Sequence, residues 1–284
     1  MFRRILCATD LSPGSHQAVH LAAKLAVASG GALMLVHVWH VPAFAYVREP
    51  PAPDNTMGWM QEAARLAIES TRREVIDLGV KEVSTVVTTG VPWEQIVSAA
   101  SDAAFDLIVL GTHGRSGLGR FLLGSVAEKV MRHAPCSVLV ARGDSLPFHD
   151  VLCPIDFSDA SRVAMRRAGE LATGTVTLAH AVELPSWYSS EPKMVEFLDD
   201  LGRRSTQLLE TWSKELEPAT TARVARRTTF GGAAAQVLAI VEDLPKVDLV
   251  VVGSHGVHRA LLGSVAERLV RHAGCSVLVA RDRR

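Results

Sequence analysis

Leu122–Arg142 reads LLGSVAEKVMRHAPCSVLVAR, and Leu261–Arg281 reads LLGSVAERLVRHAGCSVLVAR. Seventeen of the 21 positions are identical, so the chain carries one structural unit twice. Each copy opens on Gly-Ser before a helical run and closes on the apolar, β-rich stretch CSVLVAR. Working outward, DLIVLGTHG (Asp106–Gly114) matches DLVVVGSHG (Asp248–Gly256), and ILCATDLS (Ile5–Ser12) matches VLCPIDFS (Val151–Ser158). The halves are residues 1–144 and 149–284, with Gly143–Phe148 (GDSLPF) as a turn-rich linker. The offset between halves is 146 at Asp10/Asp156, 143 at His37/His180, 142 at Gly111/Gly253 and 139 at Gly124/Gly263. The last step removes three residues from one glycine-bounded loop.

Within the first half, short β-rich runs (Ile5–Ala8, Leu33–Val38, Val83–Thr88, Leu107–Leu110, Ser137–Ala141) alternate with longer helical stretches. Ser12 and Pro13 suit the start of the first helix, and Val19, Ala22, Ala23 and Ala26 form a stripe at helical spacing. Strand–helix alternation predicts an α/β fold: a parallel sheet covered by helices on both faces, five strands to each half.

The totals narrow the function. Lysine plus arginine equals aspartate plus glutamate, 30 against 30, which argues against a nucleic-acid or acidic-membrane partner held by bulk charge. Apolar residues are 48% and charged residues 21%, enough for a packed core. The four cysteines form no C-x-x-C pair, and Asp10 interrupts the first apolar run too early for a signal-peptide core. Reduced thiols in a cytoplasmic protein are therefore expected. Leu25–Val47 is free of formal charge but contains Gly30-Gly31, His37, His40 and Pro42; a helix end followed by a strand explains it better than a membrane span.

In a doubly wound sheet a ligand sits at the carboxyl ends of the strands, where strand order reverses. The first strand runs into Asp10 and the fourth into Gly111-Thr112-His113-Gly114; the loop closes on Gly124-Ser125 at a helix start. Glycine lets backbone approach an anion, and a helix start offers free N–H groups at its positive end. Ser125 suits a helix cap or a phosphate donor, and Arg115 and Arg120 flank the loop. Asp10 suits a ribose hydroxyl or a phosphate-bound Mg²⁺. Plainer readings stand beside these: turn glycines, an acid at a helix start, solvated arginines.

The spacing Gly111-x2-Gly114-x9-Gly124-Ser125 resembles the ATP-binding branch of the universal stress protein family, as do Asp10, Val38, Gly90-Val91-Pro92 and the closing CSVLVAR strand. The resemblance spans nearly the whole chain, twice. It implies two tandem flavodoxin-like (Rossmann-like) domains with strand order 3-2-1-4-5, paired through their last strands as an internal pseudo-dimer, with a homodimer open. It further implies ATP, with Mg²⁺, held by Asp10, Val38, Gly111, Gly114, Gly124, Ser125 and Val126. In the second half Asp156, Gly253, Gly256, Gly263 and Ser264 form a weaker set: its loop is shorter, Val257 replaces Arg115 and Ala181 replaces Val38.

Other features carry less. His113 and His255 lie in the loops, while His37 and His180 read as core residues of the second strands. His16 and His20 form H-x-x-x-H without an evident third ligand, so no metal site is assigned. The proline-rich Val41–Pro53 segment, followed by Trp59, suits either a lid or a passive crossover. No Walker A sequence, nucleophile elbow or G-x-G-x-x-G after the first strand is present. The expectation is a nucleotide-binding stress-response regulator rather than an enzyme. A slow ATP hydrolase or nucleotidyl-transfer enzyme, and a ligand-free interaction module, stay open.

Overall fold

A computed structural model describes residues 1–39, 56–112, 123–183, 192–244, 246–255 and 262–282. The chain divides into two compact units, Phe2–Asp144 and Ser145–Asp282. In the first the elements are β1 (Arg4–Ala8), α1 (Pro13–Ser29), β2 (Ala32–Trp39), α2 (Thr56–Asp77), β3 (Glu82–Thr89), α3 (Pro92–Asp102), β4 (Leu107–Gly111), α4 (Ser125–His133) and β5 (Ser137–Ala141). The second repeats the order: β6 (Phe148–Pro154), α5 (Asp159–Leu171), β7 (Ala172–Val182), α6 (Pro192–Leu216), β8 (Arg223–Phe230), α7 (Ala233–Asp243), β9 (Leu249–Gly253), α8 (Ser264–His272) and β10 (Ser276–Ala280). A 3₁₀ turn at Glu217–Ala219 follows α6.

The first sheet runs β3-β2-β1-β4-β5 and the second β8-β7-β6-β9-β10, which is the expected 3-2-1-4-5 order in each. The ladders within each domain are parallel. Ile5, Leu6 and Cys7 of β1 pair with Leu33, Met34 and Leu35 of β2 on one side, and with Leu107, Ile108 and Val109 of β4 on the other. Parallel strands covered on both faces carry unbroken apolar runs. Accordingly Leu107–Val109 and Leu249–Val251 are inaccessible to solvent. On α1 the stripe Val19, Ala22, Ala23 and Ala26 is buried with Leu21 and Leu25.

The uncharged stretch from Leu25 resolves as the end of α1 and the start of β2. Gly30 closes the helix at φ +60°, and its N–H reaches Ala26 and Val27 carbonyls. A side chain on Gly31 would place Cβ 2.6 Å from the Arg3 carbonyl oxygen. Among the described residues no helix is long and apolar enough to cross a membrane. Phe148, read as the last linker residue, instead opens β6 and is 1% exposed. An aromatic ring of that size gains more from the core than from a turn.

One device recurs at the start of both sheets. Asp106 accepts the backbone N–H groups of Arg3 (2.7 Å) and Arg4 (3.1 Å). Asp248 likewise accepts those of His149 (2.8 Å) and Asp150 (3.0 Å). Each aspartate ties the beginning of β4 or β9 to its central neighbour. Burial pushes the Asp248 carboxyl up, but the N–H groups of Asp150 and His149, with Lys246, outweigh it and hold the group below the ordinary carboxylate range.

Candidate functional site

The carboxyl end of β1 is shaped by short polar side chains. Thr9 N–H donates to the Val36 carbonyl (2.9 Å), continuing the ladder for one residue. Leu11 then turns into the left-handed region at φ +62°, unusual for a residue with a branched side chain. Its N–H is held by Thr9 Oγ1 (3.0 Å), and Asp10 Oδ1 accepts from the Ser12 N–H (3.1 Å) and hydroxyl (2.6 Å). The Asp10 carboxylate is thereby aimed by an Asx turn immediately before α1. Phe157 repeats the φ of +62° after Asp156. The same strained step in both copies marks a site where geometry outranks backbone comfort.

Below this turn lies a cavity of about 290 Å³, lined by Thr9, Asp10, Val36, Val38, Pro92 and Ile96 on one side and by Leu110–Thr112 and Gly124–Ala127 on the other. Six of the residues singled out from the sequence therefore meet in one place: Asp10, Val38, Gly111, Gly124, Ser125 and Val126. Gly114 and Arg115 lie outside the described residues, as do His113, Arg120 and the Val41–Pro53 segment. Trp59, at the start of α2, is 64% exposed. Pro92 and Ile96 were not among the expected site residues; they belong to α3, whose start after Gly90-Val91 was the available signal.

The helix start differs from expectation by one residue. Gly124, with φ −63° and ψ 142°, is the cap of α4, and Ser125 is the first helical residue. Glycine has no side chain to close the end, and no side-chain cap bond is made. Ser125, Val126 and Ala127, the first turn of α4, line the cavity; first-turn N–H groups have no partner within a helix and mark the positive end of its dipole. The loop is pinned at its neck, where Gly124 N–H donates to the Thr112 carbonyl (2.9 Å).

In the second domain the corresponding positions surround a larger cavity, about 780 Å³, reached by Asp156, Ala181, Gly253, His255, Gly263 and Ser264 among others. Gly263 caps α8 without a side-chain bond, and its N–H donates to the Ser254 carbonyl (2.8 Å). The neck survives the shorter loop, because both ends are set by β9 and α8. Gly256 lies outside the described residues. A Cβ on Gly253 would come within 2.8 Å of the Ala160 carbonyl carbon, so this glycine serves the packing of β9 against α5. Asp156 Oδ1 accepts from the Ser158 N–H (3.0 Å), the Ser158 hydroxyl (2.5 Å) and the Ser161 hydroxyl.

The histidines separate by role. His37 Nδ1 donates to the Thr9 carbonyl (2.9 Å) and His180 Nδ1 to the Ile155 carbonyl (2.7 Å); a carbonyl only accepts, so this nitrogen carries the proton in each. Both rings brace the strand end that presents the aspartate. His37 is buried, as expected of a core residue, whereas His180 borders the second cavity. His255 pairs through Nδ1 with the Ser254 hydroxyl (2.9 Å). All four cysteines are buried and none is part of a disulfide; burial raises the Cys7 thiol to about 12 and pushes Cys153 up as well.

Comparison with known proteins agrees with this architecture. A universal stress protein of Mycolicibacterium smegmatis is 30% identical over 300 residues, covering 98% of this chain and 97% of that one. One from Thermus aquaticus is 36% identical over 146 residues, covering 50% of this chain and all (100%) of its own. The crystal structure of a universal stress protein from Archaeoglobus fulgidus superposes with a TM-score of 0.71 at 19% identity, covering 98% and 97% of the two chains, and shows the shared fold. The sequence profile of the universal stress protein family matches twice, over residues 1–142 and 147–281. The chain belongs to the universal stress protein family and carries two of its domains in tandem.

Proposed function

We propose that the first domain binds an adenine nucleotide, ATP accompanied by Mg²⁺, and that occupancy rather than turnover is the functional signal. The observation that carries this reading is the glycine-capped start of α4 opening on the same cavity as Asp10 and Val38. Free N–H groups at a positive helix end are a phosphate site, and Ser125 adds a hydroxyl beside them. An apolar floor of Val36, Val38 and Ile96 suits a purine face, and Asp10, aimed by its Asx turn, suits a ribose hydroxyl. The same carboxylate is the group placed to hold Mg²⁺, which prefers oxygen ligands and substrate phosphates. Bound there, the ion would neutralise phosphate charge.

Calorimetric titration of the full chain with ATP and Mg²⁺ tests the reading; no heat of binding at millimolar nucleotide defeats it. The second cavity supports an additional reading, in which Asp156, Gly253, Gly263 and Ser264 form a second site of lower affinity. Stoichiometry separates the two: one nucleotide per chain for the first domain alone, two when both domains bind. A steady ATPase rate abolished by Asp10→Ala would replace the binding role with an enzymatic one.

A further inference from the structure

His16 and His20 lie one turn apart on α1, and the fold brings Glu74 of α2 against them. The His20 Nε2 to Glu74 Oε1 distance is 2.5 Å. One ligating atom from each of the three lies within 4.8 Å of the others. We propose that His16, His20 and Glu74 bind a zinc-type divalent transition-metal ion that joins α1 to α2 in the first domain.

The donor set suits that chemistry. Two imidazoles and one carboxylate are a recurrent zinc triad, leaving a fourth position for water. Ligand bonds of about 2.0–2.2 Å in a tetrahedral site place ligand atoms about 3.4 Å apart. The cluster needs to contract from at most 4.8 Å, and exposed His16 is free to change rotamer. A carboxylate stands behind one ligand. Asp144 Oδ2 lies 3.8 Å from His20 Nδ1, beyond hydrogen-bond length but near enough to accept from that nitrogen after a small shift, once Nε2 holds the ion. Lys24, the neighbouring cation, is neutralised by Asp144 Oδ2 (2.8 Å) and the Asp144 carbonyl (2.8 Å).

The second domain is an internal control. Arg162 and Arg166 occupy the positions of His16 and His20, and Arg162 pairs with Glu215 of α6. There the same helix–helix junction is an ordinary ion pair, and guanidinium groups do not ligate zinc. An ion pair alone would need His20 and Glu74 but not His16. That difference makes His16 the decisive position.

The test is titration of the chelator-treated full chain with Zn²⁺ alone, followed by calorimetry and thermal melting. One high-affinity ion per chain, with a raised melting midpoint for the first domain, is expected. His16→Ala, at an exposed position, should keep the metal-free melting midpoint yet weaken Zn²⁺ binding by roughly tenfold or more. Asp144→Asn should weaken it by roughly tenfold. Glu74→Ala should remove both the ion and the His20 contact. Zn²⁺ binding by His16→Ala equal to that of the unmodified chain, or no binding by the unmodified chain, overturns the proposal.

Discussion

Substituting Gly124 by aspartate sets helix stability against ligand binding at the same atoms. Gly124 has φ −63° and ψ 142°, which any residue adopts, and an added Cβ would sit 3.4 Å from the Thr112 carbonyl oxygen, ordinary contact. The new carboxylate would accept the first-turn N–H groups of α4. Relative to glycine such a cap contributes a few tenths of a kcal/mol, and a negative charge at the dipole's positive end contributes about 0.3–1 kcal/mol. The first domain should therefore gain about 0.5–1 kcal/mol, a rise of roughly 2–4 °C in its melting midpoint. Nucleotide binding should move the other way. Each charge-assisted bond withdrawn from phosphate is worth about 1.5–3 kcal/mol, or roughly ten- to a hundredfold in affinity. Gly124→Ala supplies the control, adding the Cβ without the charge, and should retain most of the affinity. Thermal melting and ATP titration on the three proteins give the answer. Unchanged ATP affinity in Gly124→Asp would show that the α4 start does not hold the phosphates.

Asp10→Ala should remove nucleotide binding and also release the Ser12 N–H from its Asx turn, read by titration and by amide exchange at Ser12. Gly253→Ala should destabilise the second domain by about 1–3 kcal/mol, because its Cβ meets the α5 backbone; denaturant unfolding with the first domain as internal reference measures this. Leu139→Ala, at a position 2% exposed, should cost the first domain about 2–5 kcal/mol in the same assay. For Asp248 the folded value lies below the unfolded value of about 3.9. The unfolded chain thus binds more protons, and the stabilisation is full above that value and lost as pH falls through the folded one. Asp248→Asn should flatten the acid limb of a stability–pH curve below about pH 4.

The fold was legible because apolar runs, glycine stops and helix starts occur twice, and agreement between copies removes most register ambiguity. Strand ends follow from where apolar residues stop, so Asp10, Gly111 and Gly124 could be assigned to one crevice before any coordinates. What stayed hidden depends on three-dimensional contact. Glu74 stands 54 residues from His20 in sequence, and no helical spacing announces it. Ser125 was misplaced by one position because Gly-Ser before a helix reads equally with either residue as the cap. The greater volume of the second cavity was also invisible, although Ala181 in place of Val38 pointed that way. Phe148 looked like linker because proline precedes it, whereas its ring belongs to the core.

The buried cysteines turn the duplicated strands into built-in chronometers. Cys7 and Cys136 sit in one unit and Cys153 and Cys275 in the other, all shielded from reagent while their sheets are intact. An alkylating probe would mark a thiol only during an opening excursion. Peptide-resolved labelling would then time the opening of each copy separately within one molecule. A ligand seated in one copy would slow that copy's clock more than its twin's, locating the occupied cleft without a substitution.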